Sequence, residues 1–148
     1  MSTTTRQTRK KQSGFTLMEL LVVLAILGLL ASFAVPRVLK YLSGAKTDSA
    51  NIQINNLSGA LDLYRLETGR YPTTAEGLQA LIKEPTGARG WNGPYIDKPE
   101  GLIDPWGRPY HYRFPSQMGM DVDIYTLGAD DAPGGEGENA DVTNWSSN

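Results

Sequence analysis

The chain has 148 residues, of which 40% are hydrophobic and 20% charged, with a formal net charge of −2 and no cysteine. That length allows one ordinary domain, and the apolar and aromatic content excludes a chain that stays unfolded. The charge is unevenly placed: Arg6, Arg9, Lys10 and Lys11 open the chain without an acid, whereas Asp121, Asp123, Asp130, Asp131, Glu136, Glu138 and Asp141 follow Arg113 without a Lys or Arg. No basic patch of the kind that tracks nucleic acid is present.

The first predicted element is an apolar run from Phe15 to Val35 that follows the basic opening. At about 1.5 Å per residue such a helix crosses a bilayer core, and it is longer than the apolar part of a secretory signal, typically about 7–15 residues. The positive-inside rule puts the N-terminus in the cytoplasm and the rest of the chain outside. Glu19 is the anomaly, because a carboxylate in the apolar layer costs roughly a few kcal/mol and marks a functional position by default. A plain signal anchor leaves it unexplained. A cut just before Phe15 would create an α-amine four residues away, which could pair with Glu19 of the same chain or of a neighbour.

The residues Ser13-Gly14-Phe15-Thr16-Leu17-Met18-Glu19-Leu20 resemble the processing signature of type IV pilins and type II secretion pseudopilins. The resemblance implies cleavage by a prepilin peptidase after Gly14 and N-methylation of Phe15. It also implies a role for Glu19 in neutralising the amine of an adjacent subunit during fibre assembly. Residues 1–14 would then be a leader, 15–36 a membrane and fibre-core helix, and 37–148 a periplasmic domain.

Past Pro36 the pattern turns amphipathic. Ala50, Ile54, Leu57, Leu61 and Tyr64 recur at helical spacing, with Lys46, Asp48, Asn55, Asp62 and Arg65 on the polar positions. Gly69 before Tyr71-Pro72 reads as a helix stop, so one long helix from Phe15 to about Thr68 is expected, with Pro36 as the place for a bend and Gly44 and Gly59 weakening it locally. From residue 69 onward come 12 of the 16 glycines and 8 of the 9 prolines, a loop-rich region of short elements. Thr73-Thr74-Ala75-Glu76 has capping-box spacing and predicts a short helix over 77–82, ended before Pro85. Tyr110 to Phe114 and Val122 to Leu127 alternate as strands and are expected to pair antiparallel. The fold class is therefore α+β: a long N-terminal helix, membrane-spanning in its first half, packed on a small C-terminal domain with a short helix and a small antiparallel sheet.

This half resembles the family more narrowly. Tyr71-Pro72-Thr73-Thr74, Asp104-Pro105-Trp106-Gly107, Leu127-Gly128-Ala129-Asp130 and the ending Ala140 to Trp145 are similar to major pseudopilins of type II secretion. Type IV pilins proper usually close this region with a disulfide, which a chain without cysteine cannot do.

The acidic loop allows two readings on composition alone, a solvated tail or a cation site. Calcium takes six to eight oxygens on a bendable loop, but the EF-hand pattern is absent. The resemblance implies Ca2+, with Asp130 and Asp141 as side-chain ligands, Leu127 as a carbonyl ligand, and Asp131 as a further possibility.

No catalytic constellation is found. His111 is the lone histidine, and it and Trp91, Trp106 and Trp145 read as structural. The resemblance implies a non-enzymatic subunit of a periplasmic helical fibre that drives protein export across the outer membrane. Its partners would be further copies of itself, the prepilin peptidase, minor pseudopilins, the inner-membrane secretion platform and the membrane, but no nucleic acid. The location implied is the bacterial inner membrane, single-pass, and then the periplasmic fibre. The alternatives are a minor pseudopilin or DNA-uptake type pilin, or a membrane-anchored periplasmic calcium-binding protein.

Overall fold

The computed structural model describes residues 14–146. The leader residues before Gly14, with their four basic side chains, lie outside the described residues. The chain divides between Val38 and Leu39 into two units.

A single helix, α1, runs from Leu17 to Thr68 and is continuous through Pro36. It starts two residues after Phe15, because Thr16 caps it: the Glu19 N–H donates to Thr16 Oγ1 at 3.2 Å. It stops where expected, at Gly69, whose φ of 80° is open to glycine at little cost and whose N–H donates to Arg65 O at 2.8 Å. In the first unit the side chains of α1 are exposed, and this stretch is apolar and long enough to cross a membrane.

In the second unit α1 buries Ala50, Ile54, Leu57, Ala60, Leu61 and Tyr64. This is the predicted stripe with Ala60 added. A three-stranded antiparallel sheet covers it in the order β1-β2-β3, with β1 at His111–Arg113, β2 at Asp123–Thr126 and β3 at Val142–Thr143. His111 stands opposite Tyr125, and Tyr125 opposite Thr143. Ile124 and Val142 point into the core with Leu81, Leu102 and Tyr110. The α+β class is as expected.

Four details differ from the sequence reading. β1 and β2 are shorter than predicted, and at both ends of β1 loops take the hydrogen bonds. Tyr110 N–H donates to Leu102 O at 3.1 Å, and Phe114 N–H to Thr74 Oγ1 at 3.0 Å. β3 has no signature in the sequence, since two residues carry no periodicity. A 3₁₀ turn at Pro99–Leu102 likewise lies outside the predicted elements. The short helix predicted over 77–82 is a 3₁₀ helix, Leu78–Leu81. The capping box does form, with Thr73 N–H donating to Glu76 Oε2 at 2.7 Å and Glu76 N–H to Thr73 Oγ1 at 3.2 Å. It closes an isolated turn, because Gly77 follows at φ 60° and breaks the helical path.

Candidate functional site

Two places gather the residues singled out above, one in each unit. The first is the start of α1. Gly14 and Phe15 precede the helix and are exposed. A Cβ on Gly14 would meet nothing within 4 Å, so the fold itself makes no demand for glycine there. Glu19 sits in the first turn, where a negative charge suits the helix dipole. Among the described residues it makes no ion pair. Thr16 is a further residue of this site, beyond Gly14, Phe15 and Glu19. Its spacing to Glu19 is that of a capping box, and the hydroxyl half of that box is made. Thr16 thus sets the turn that presents Glu19.

The second place is the loop between β2 and β3. It is stapled at both ends. Gly128 has φ 67°, and a Cβ there would lie 2.8 Å from backbone atoms of Glu138, Asn139 and Ala140, so only glycine allows that approach. Ala129 N–H donates to Glu138 O at 2.8 Å. The Glu138 carboxylate pairs with Lys46 on α1 at 3.3 Å and accepts from Trp106 Nε1 at 3.4 Å. Arg108 donates to Gly128 O and pairs with Asp131 at 3.4 Å.

Within this frame the four named positions separate. Leu127 and Asp141 line one cleft of about 280 Å³ with Tyr125, Pro133 and Trp145. Asp141 Oδ2 accepts the Gly134 N–H at 3.0 Å, while Asp141 Oδ1 is buried without a hydrogen-bond partner among the described residues. Asp130 is exposed and accepts the Ala132 N–H at 3.3 Å. Asp131, at φ 56°, is turned to Arg108. Among the described residues no three Asp, Glu or His side chains converge on one point, so a cation here would need backbone carbonyls for most of its oxygens.

The acidic tail is less uniform than its composition suggests. Asp123 is fully buried; it accepts from Ser116 Oγ and from Gln117 N–H at 2.9 Å, tethering the loop between β1 and β2. Asp104 is buried too, and accepts from Trp106 N–H, Arg108 N–H and Thr126 Oγ1. Both are structural, and their burial was not visible in sequence. On the outer face of the sheet His111 stacks on Tyr125 at 4.7 Å, and Trp145 meets the same ring edge-on at 5.5 Å.

Comparison with known proteins gives the same picture on both units. The family described as "Type II secretion system (T2SS), protein G" matches residues 37–145, and the "Prokaryotic N-terminal methylation motif" matches residues 9–35. The chain is 45% identical over 141 residues to type II secretion system core protein G of Pseudomonas aeruginosa, covering 93% of this chain and 97% of that one. It is 46% identical over 140 residues to the protein of the same name from Vibrio cholerae, covering 92% and 93%. Among solved structures it is similar to the major pseudopilin of the type 2 secretion system of enterohaemorrhagic Escherichia coli. The TM-score is 0.60 at 35% identity, over 71% of this chain and 87% of that one.

Proposed function

This chain belongs to the type II secretion system protein G family, and on that premise we propose that it is the major structural subunit of a type II secretion pseudopilus. The observation that carries the reading is the union, in one chain, of the methylation motif over residues 9–35 with the protein G domain over 37–145. A plain membrane anchor accounts for neither part. The subunit is inserted with its N-terminus in the cytoplasm and its C-terminal unit in the periplasm. Prepilin peptidase cuts after Gly14 and methylates Phe15, and copies then associate through their apolar helices into a periplasmic fibre. Such association is heterologous and open-ended, as a fibre requires. Extension of the fibre moves exported proteins toward the outer membrane, and the minor pseudopilins and the inner-membrane platform are its partners.

The cut makes the charge that Glu19 lacks. In a low-dielectric setting an amine and a carboxylate attract strongly, so each incoming subunit is registered by Glu19 meeting a Phe15 amine. The open space around Gly14 supports a peptidase requirement for glycine rather than a folding one.

Calcium in the acidic loop belongs to the same proposal. Asp141 would hold it through its unpartnered oxygen, with Leu127 supplying a carbonyl and Asp130 a second carboxylate. Asp131 is the weakest of the four, being already paired with Arg108. Bound calcium would tie the loop to β2, which is what a disulfide would otherwise do.

The mass of the membrane-extracted protein tests the reading directly. A chain starting at N-methylated Phe15 is expected. An intact Met1, or a cut near Pro36, would overturn it.

A further inference from the structure

Resting on the calcium reading, we propose that Arg108 is the positioning residue of the acidic loop, holding the residue next in the chain to each of two calcium ligands. Its guanidinium donates to the Gly128 carbonyl, and its Nε pairs with Asp131 Oδ1 at 3.4 Å. Gly128 follows Leu127, and Asp131 follows Asp130. One planar group therefore fixes two points on the loop. Arginine has donors only, so it supplies no oxygen to a cation and acts through these neighbours. Asp131 is then a tether point rather than a ligand.

The arm that reaches the loop is itself held still. The Arg108 N–H donates to Asp104 Oδ1 at 2.8 Å, and the Arg108 carbonyl accepts the Asp104 N–H at 2.7 Å. Asp104 is only 5% exposed and also accepts from Thr126 Oγ1, the last residue of β2. The turn bearing Arg108 and the strand leading to Leu127 thus share one buried carboxylate. Beyond the guanidinium, Gly128 lies against the backbone of Glu138, Asn139 and Ala140, so placing Gly128 also places the chain that returns to Asp141. A site works at its ligands only as precisely as the groups behind them are fixed. Lysine is a point charge without the planar fork and does not serve both contacts. Charge alone argues the other way, since a cation beside the loop repels a second cation. A benefit from Arg108 therefore comes from geometry.

Calorimetric titration of the detergent-purified full-length protein with calcium chloride tests this, with Arg108→Lys and Arg108→Gln beside the wild type. Both variants are expected to bind calcium about tenfold more weakly, the scale for losing a group that orients metal ligands. Amide hydrogen exchange over residues 128–131 should be faster in both, even with chelator present. Wild-type affinity in Arg108→Lys, or tighter binding by Arg108→Gln, would overturn the proposal, because either result reduces Arg108 to its charge. Asp131→Asn cuts the same tether from the other end. Combined with Arg108→Lys it should weaken binding no further than either change alone, whereas additive losses would make Asp131 a ligand and overturn the proposal. If the Arg108 variants do not fold, Asp131→Asn decides: weaker binding with faster exchange in chelator supports the tether, and weaker binding with unchanged exchange overturns it. A wild type that binds no calcium would remove the calcium reading and this proposal together. Wild-type binding matched by every variant would remove this proposal alone.

Discussion

At the scale of single residues, the strongest local charge pair is Arg70 with Glu76. The two form a fork at 2.6 and 2.7 Å. The Arg70 hydrogen bonds, opposed by partial burial and helped by Thr73, hold the Glu76 carboxyl down at about 2, against an ordinary 4.5. A depressed carboxyl stabilises the folded state above its unfolded pKa, and that contribution is lost as pH falls through the folded one. Glu76→Gln should therefore cost about 1 kcal/mol at neutral pH, the scale of a screened bidentate pair, with the difference closing between about pH 4.5 and 2. Urea melts of both proteins across that range would show it, and a difference independent of pH would refute it. Burial, by contrast, pushes the Tyr110 and Tyr112 hydroxyls up. Each is a donor, Tyr110 to Gln53 at 2.6 Å and Tyr112 to Pro72 O at 2.8 Å. The acidic loop has its own single-residue test. Asp130→Ala and Asp141→Asn should lower the melting temperature only when calcium is present. Ligand linkage sets the scale, about 2.7 kcal/mol at calcium a hundredfold above Kd. Identical melts with calcium and with chelator in the wild type would show that no ion is held there.

At the scale of elements, α1 and the sheet depend on each other. The second unit has one core, and Leu61 sits in it with no exposure at all. A sheet of three short strands is not independently stable unless its apolar face packs on something. Leu61→Ala should therefore cost about 2–5 kcal/mol, the range for cavities left by a buried leucine. That is a large share of a small domain's stability. Chemical denaturation of the detergent-purified protein would measure it, and a cost below 1 kcal/mol would mean the helix and sheet are not one cooperative core. The predicted helix stripe was legible in sequence because it repeats over four turns. The strand ends were not, since Thr74 and Leu102, far along the chain, take the hydrogen bonds that would have lengthened β1.

At the scale of the whole molecule, folding and assembly make different demands. The first turn of α1 is closed locally by Thr16, so Glu19 is free of any folding duty through its carboxylate. Glu19→Lys should insert in the membrane and be processed at Gly14 like the wild type, yet yield no fibres. Mass spectrometry of the membrane fraction and electron microscopy of the sheared fraction separate the two steps. Normal fibres from this variant would eliminate the pairing of Glu19 with the Phe15 amine.

The sequence alone determined the processing motif, the apolar run, the long helix and its stop at Gly69. These are local signals, written within a few turns of one element. It also marked Leu127, Asp130, Asp131 and Asp141 together as acidic-loop positions. Only the tertiary structure separated them, because burial and partnership depend on residues far away in the chain. Arg108 engages Asp131, and the fold around the loop buries one oxygen of Asp141 unpartnered. Likewise, periodicity showed that α1 has an apolar face toward the core. That Tyr41, Ile52, Leu63 and Leu66 on the same helix stay exposed required knowing which side the sheet occupies.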